Sequence, residues 1–89
     1  MHLDVTVHIW KEGGQYVAHA MPLDVMSSGA TPELARQAVD EAVRLFLLTA
    51  TDAGTLEEVL EESGYELHGD RWVSPSFVSV EKHDLALAV

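Results

Sequence analysis

The five histidines are the residues of this chain most suited to chemistry, at positions 2, 8, 19, 68 and 83. They lack the i, i+4 helical spacing of a zinc site. His8 and His19 lie on two strands that we predict to be paired, where they could face each other across a sheet. Two imidazoles with one carboxylate would bind zinc or nickel. We prefer an exposed or interfacial pair, whose titration near neutral pH would make assembly sensitive to pH, and we predict no metal site.

The carboxylates do not form the pattern of a nuclease. Cleavage of the RNase H type needs several carboxylates that converge on two divalent ions. Asp4 is the only carboxylate on the first predicted strand, Asp24 lies in a turn, and the sequence places no partner beside either. The chain has no cysteine, which excludes catalysis by a thiolate and zinc sites with cysteine ligands. We therefore predict no catalytic residue and no cofactor, and we interpret both aspartates as solvated surface charge.

Composition and charge favour a protein partner over nucleic acid. Among 89 residues, 15 Asp and Glu oppose 5 Lys and Arg, for a formal net charge of -10. Phosphate backbones repel such a chain, whereas a basic protein attracts it. The length fits one small domain, near the size at which an oligomeric interface aids stability. Since no segment resembles a signal peptide or a membrane span, we expect a cytoplasmic protein.

Two groups of residues are candidates for binding a partner. Trp10 lies on the same strand face as His8, and an exposed indole is often an interface anchor. Together with His19 and Met21, these residues predict that the sheet face opposite the helix is covered by another chain, and we expect a homodimer. The alternative is that Phe77 to Val89 folds back over this face. The second group is an anionic helix surface that could face a basic protein or only solvent: Glu57, Glu58, Glu61 and Glu62.

The longest element that must position these residues is a helix from Ala30 to Ala50. Apolar residues recur three and four apart along it, Thr31 can cap its first turn, and Pro32 suits its first position. One amphipathic helix cannot bury its own stripe, so the flanking strands must supply a sheet. Alternation and turn residues predict three antiparallel strands: Leu3 to Lys11, Gln15 to Met21 and Leu23 to Ser28.

The remainder of the chain predicts a short second helix and further strands. Thr55 and Glu58 match a capping box at the start of this helix, and Ser63-Gly64 ends it. A small hairpin follows, with Gly69-Asp70 suited to a type II′ turn. We expect Trp72 and Phe77 in the core.

Two further strand candidates follow this hairpin. Phe77 to Glu81 is the first. Asp84 to Val89 could extend the sheet, pair with another subunit or fray. The predicted fold class is α+β, with a three-stranded antiparallel sheet, one long helix, a short second helix and C-terminal strands.

Gly13 to Leu47 combines four local patterns in a fixed order. They are a Gly-aromatic-Val-Ala opening, a Pro-Leu turn, a Gly-Ala-Thr helix start and an acidic amphipathic helix, at Gly14, Tyr16, Val17, Ala18, Pro22, Leu23, Gly29, Ala30, Thr31, Glu33, Leu34, Ala35, Ala38, Glu41, Ala42 and Leu45. In this order they resemble the HicB-like antitoxin family. The turn departs from the family pattern, with Asp24-Val25-Met26 in place of Pro-Gly-Cys. The added DNA-binding segment of some members is also lacking, because the region after Gly54 is acidic.

The resemblance implies a partial RNase-H-like β-β-β-α core in residues 1–54, with residues 55–89 as a C-terminal extension of the same domain. It also implies that the chain silences a small basic RNA-cleaving toxin of the HicA type, by covering its RNA-binding face and its catalytic histidine. We therefore predict a non-enzymatic, antitoxin-type protein without direct nucleic-acid binding. The alternatives are an orphan oligomeric domain that binds a small ligand and a residual metal-dependent nuclease of RNase-H-like ancestry.

Overall fold

The protein has the α+β fold that its residue pattern predicts. The structure, a computed structural model, describes residues 1–88. A three-stranded antiparallel sheet carries one long helix, and a short helix leads into a second, smaller sheet. Neither helix in residues 1–88 is long and apolar enough to cross a membrane. The elements in chain order are β1 (His2–Leu3), β2 (Thr6–Glu12), β3 (Gln15–Met21), β4 (Val25–Gly29), α1 (Pro32–Asp52), α2 (Leu56–Glu62), β5 (Glu66–His68) and β6 (Arg71–Val73).

The larger sheet has the strand order β2-β3-β4, and both pairings are antiparallel. Gly13 makes the turn between β2 and β3 with a φ of +61°, which glycine adopts without steric cost. β3 has the predicted bounds. β4 begins later than predicted, because Leu23 turns into the core, where it is 8 % exposed, and Asp24 takes a φ of 60°.

The first predicted strand is interrupted. Asp4 and Val5 separate β1 from β2, because the chain changes its pairing partner here. Leu3 pairs in parallel with Trp72 of β6, whereas β2 pairs with β3. β5 completes the smaller sheet in the order β1-β6-β5. The residue pattern does not predict this pairing between distant parts of the chain.

Helix α1 begins as the sequence predicts. The hydroxyl of Thr31 accepts a hydrogen bond from the backbone N–H of Leu34 at 3.1 Å, and Pro32 occupies the first helical position. The cap satisfies one of the N–H groups that have no partner inside the helix. The helix continues to Asp52, slightly past its predicted end. Its buried residues form one stripe: Ala35, Val39, Val43 and Ala50.

Small side chains allow α1 to lie close to the larger sheet. Ala18 and Ala20 of β3 are both 0 % exposed. At Gly29 of β4, an added Cβ would lie 2.6 Å from the backbone nitrogen of Ala35 in α1, which is too close for two non-bonded atoms. The helix therefore fits over β3 and β4 only while these positions remain small.

The predicted capping box at the start of α2 is wrong. The hydroxyl of Thr55 donates to the carbonyl oxygen of Ala50 at 3.4 Å and accepts nothing from the first turn of α2. The connection from α1 fixes this arrangement, because the N–H of Thr55 also donates to Ala50, at 2.9 Å. The predicted end of α2 is confirmed, since Gly64 follows Ser63 with a φ of +95°.

The predicted hairpin between β5 and β6 is confirmed. Gly69 makes its turn with a φ of +68°, and His68 pairs with Arg71 across it. Trp72 is buried as predicted, at 6 % exposed. One core cluster joins residues from both sheets and both helices: Ala18, Ala20, Leu23, Ala35, Val39, Val43, Leu60, Tyr65 and Trp72.

Residues 74–88, named the extended segment below, contain no helix, strand, turn or bend. The predicted strand from Phe77 to Glu81 is therefore wrong, and Asp84 to Ala88 extend neither sheet; Val89 lies outside the described residues. The reason is that no strand among the described residues lies beside them, and Val78 is 98 % exposed. Phe77, predicted in the core, is 46 % exposed.

Candidate protein-binding surface

The face of the larger sheet that points away from α1 is named the open face below. Ala18 and Ala20 are buried beneath α1, so strand alternation puts Val17 and His19 on the other side of β3. The pairing of β3 with β2 and β4 then assigns ten residues to the open face: Thr6, His8, Trp10, Glu12, Gln15, Val17, His19, Met21, Met26 and Ser28.

His19 lies at the centre of the open face. It is directly opposite His8 on β2 and opposite Met26 on β4. Its Nε2 donates to Oδ1 of Asp24 at 2.5 Å. The indole of Trp10 meets the His19 ring edge to face, with the ring centroids 6.3 Å apart. Contacts from a carboxylate and an indole therefore fix the orientation of this imidazole.

The metal-binding alternative has no complete ligand set within residues 1–88. No three histidine, aspartate or glutamate side chains there lie close enough together to hold an ion. Asp24 contacts His19, whereas His8 packs against the ring of Phe77, with the centroids 6.5 Å apart. His8 and His19 lie side by side on the sheet, but their other neighbours differ.

The open face exposes two large side chains of the kind found at interface centres. Met26 is 55 % exposed, and Trp10 is 39 % exposed while its Nε1 donates to Glu12 at 3.3 Å. Trp and Met are enriched in protein interfaces. The extended segment reaches only the His8 end of this face, since Phe77 contacts His8 and later apolar residues are exposed. Of the alternative in which Phe77 to Val89 folds back over this face, the described residues therefore show only the contact of Phe77 with His8.

The four predicted glutamates lie exposed on α2, and this set is named the acidic patch: Glu57, Glu58, Glu61 and Glu62. Within residues 1–88, none of the four takes part in an ion pair. Each has a like charge four residues away on the same helix face, which costs roughly 0.2–0.5 kcal/mol per pair. In the described part of the chain, no hydrogen bond or ring contact joins the acidic patch to the open face.

The two aspartates considered for nuclease chemistry have separate partners. Ser74 donates its backbone N–H, at 2.9 Å, and its hydroxyl to the carboxylate of Asp4. These hydrogen bonds, the one from the hydroxyl above all, lower the pKa of Asp4 because they favour its charged form. Asp24 accepts from His19 instead. No further carboxylate among the described residues joins either one in a metal-binding group.

A shallow groove between β1 and α1 is the feature that the small-ligand alternative would use. His2 and Leu3 line one side, and Asp40, Val43 and Arg44 line the other, around a volume of about 400 Å³. A ligand site usually combines an enclosed apolar pocket with a few convergent polar groups. Within residues 1–88, no buried side-chain nitrogen or oxygen lacks a hydrogen-bond partner. Nothing in the groove therefore indicates a particular ligand.

The residue pattern does not place two residues at the predicted site that the structure brings beside it: Asp24 and Met26. Asp24 follows Pro22-Leu23, and aspartate is one of the few residues that tolerate a positive φ in a turn. That signal predicts the turn, but not the contact with His19. The place of Met26 depends on the register between β3 and β4, which the residue pattern does not determine.

Comparisons of this chain with protein-family models, with curated proteins and with solved structures found no match.

Proposed function

We propose that this chain is a HicB-like, antitoxin-type protein that binds a small basic ribonuclease toxin and has no catalytic activity of its own. The observation that supports the proposal is the order β2-β3-β4-α1, which is the β-β-β-α order that the resemblance implies. Gly14 lies in the hairpin turn, Pro22 ends β3, and Thr31 caps α1.

Electrostatics supports a basic partner. The chain carries a net charge of -10, and the acidic patch has no partner cation within residues 1–88. A basic protein bound there would neutralise the repulsion between glutamates on α2. Opposite charge on the two proteins also speeds their encounter and selects against acidic partners.

The mechanism would be competition for the toxin's RNA-binding face. A ribonuclease holds RNA mainly through lysine and arginine contacts to phosphates. The carboxylates of the acidic patch would occupy those cations, while the bulk of the chain would block access to the catalytic histidine of the toxin. No step requires a reactive group on this chain.

The test is an RNA-cleavage assay with the partner itself. The tagged chain is used to recover a small basic protein from its own host, and that protein is then purified alone and given a fluorescent RNA. The proposal expects cleavage to stop at one equivalent of added chain. The variant E57Q/E58Q/E61Q/E62Q should need at least tenfold more chain for the same inhibition, since charge pairs at an interface are each worth about 1 kcal/mol or more.

A matched control separates the acidic patch from net charge. The variant E33Q/D40N/E41Q/D52N removes four exposed carboxylates from α1, so its net charge changes equally. It should inhibit like the unmodified chain. Equal losses in both variants would contradict a role for the acidic patch, and cleavage that continues at a tenfold excess of unmodified chain would contradict the proposed function.

A further inference from the structure

The extended segment carries a group of apolar side chains that the rest of the described chain does not cover. Phe77, Val78 and Val80 are 46 %, 98 % and 74 % exposed, and Leu85 and Leu87 are 77 % and 80 % exposed. No backbone hydrogen bond joins residues 75–88 to any other described residue. Uncovered apolar groups of this extent usually mark an interaction site.

The extended segment also projects from the body of the protein. The radius of gyration is 15.4 Å, whereas a compact chain of this length would have roughly 12 Å. The longest dimension is 46 Å against 23 Å for the shortest. A backbone that extends into solvent with unpaired N–H and C=O groups is suited to pair with a strand elsewhere.

The outer edge of β4 is the strand edge that fits such a segment. β4 pairs with β3 on one side only, so the groups on its other side are free within the described chain. Natural edge strands are usually protected by charged residues or proline, and Val25–Gly29 contains neither. β2, the other edge of this sheet, carries Lys11 and Glu12, and Phe77 packs against the ring of His8 on its open face.

The side chains of the segment match the two faces of the larger sheet at this edge. Leu85 and Leu87 alternate with Ala86 and Ala88, so a strand here would have one large apolar side and one small side. Beneath α1 the sheet accepts only small residues where the approach is close, as at Gly29. Ala86 and Ala88 fit that side, which leaves both leucines beside Met26 on the open face.

We propose that residues 85–88 of one copy add as a strand to the outer edge of β4 in a second copy, and that the exchange is reciprocal. The segment leaves its own sheet at His8 on β2, with β3 between it and its own β4, so the edge of a second copy is the simpler partner. Reciprocal exchange gives a closed two-fold dimer. This inference is independent of the proposed function, because it involves no toxin.

The first test is molar mass by light scattering. The unmodified chain should have twice the chain mass of 9.7 kDa. The variant L85D/L87D should fall to a single chain mass while it retains the helical signal in its far-ultraviolet spectrum, since both leucines are exposed in the single chain. The matched control V78D/V80D places the same charges in the same segment outside the proposed strand, and should remain dimeric. A single chain mass for the unmodified protein, or an unchanged mass for L85D/L87D, would overturn the proposal.

The second test locates the contact by cross-linking. The chain has no cysteine, so a thiol cross-linker joins only introduced positions. A mixture of S28C chains and L87C chains should give a covalent dimer, because Ser28 and Leu87 would lie on the same sheet face. Neither variant should cross-link alone. Covalent dimers of L87C alone would show that the segments pair with each other, which would overturn the assignment to β4.

Discussion

Individual hydrogen bonds join Asp4, near the start of the chain, to Tyr65 and Ser74, far along it. The hydroxyl of Tyr65 donates to the backbone oxygen of Asp4 at 2.7 Å, and Ser74 donates twice to the Asp4 carboxylate. These bonds fix the point at which the chain passes from the smaller sheet to the larger one. The sequence could not predict them, because a contact between residues so far apart leaves no local pattern.

Tyr65→Phe tests this contact. Burial, and secondarily the charge of Asp4, raises the pKa of Tyr65 from 10.0 to about 12. A raised folded-state pKa means that stability is complete below pH 10 and is lost as pH rises from 10 to about 12. The variant should lose about 0.5–1.5 kcal/mol at neutral pH in denaturant titration, because the carbonyl of Asp4 loses its partner. The variant should also lose the fall in unfolding free energy between pH 10 and about 12. Tyr16→Phe should retain that decline, and the same decline in Y65F would contradict the account.

Ser74→Ala tests the same junction at acid pH. Hydrogen bonds from Ser74 lower the pKa of Asp4 from its ordinary value of 3.8. A lowered folded-state pKa contributes stability that is present above pH 3.8 and lost as pH falls through the lowered value. The difference in unfolding free energy between S74A and the unmodified chain should therefore shrink below pH 3.8. The control S76A changes a neighbouring exposed serine and should match the unmodified chain throughout.

At the scale of elements, the fit of α1 over the larger sheet depends on small residues. Its cap and its buried stripe are local patterns, so the sequence predicts the helix closely. The sequence predicts the wrong cap for α2. Thr55 and Glu58 form a local capping motif, but the turn from α1 directs the Thr55 hydroxyl to Ala50. The hydroxyl of Thr55 therefore bonds to the preceding turn and not to the first turn of α2.

Gly29→Ala tests the close approach of α1 and β4. The added methyl would lie 2.6 Å from the backbone nitrogen of Ala35, so backbone must shift. We expect a loss of about 1–3 kcal/mol in unfolding free energy, measured in urea. Gly14→Ala is the matched control, because nothing lies within 4 Å of its added Cβ. A loss no larger than that of G14A would contradict the packing described here.

For the whole molecule, the sequence predicted the fold class and the sheet face of Trp10, His8 and His19. Alternation alone assigns residues to faces, and the turn at Gly13 is local. The parallel pairing of β1 with β6 and the contact of Asp24 with His19 depend on long-range register instead. The extended segment was predicted as strand because its residues favour β structure, but a strand forms only where a partner strand lies beside it.

Added salt should strengthen the proposed homodimer and weaken the proposed complex with a basic toxin. Two copies of a chain with net charge -10 repel each other, so screening should strengthen the homodimer. A basic toxin is attracted, so screening should weaken its binding. Between about 0.05 and about 0.5 M NaCl, we expect the dimer dissociation constant to fall and the toxin dissociation constant to rise. Light scattering measures the first constant and calorimetry the second. A change of both constants in the same direction would contradict this division between the two surfaces.

The most direct test of the proposed function is the rate of RNA cleavage by the small basic protein recovered with this chain, titrated with the chain at low salt. We expect a linear fall to zero at one equivalent, with partial recovery of cleavage on addition of salt. An unchanged rate at a large excess would contradict the antitoxin role, while leaving the fold and the dimer proposal to their own tests.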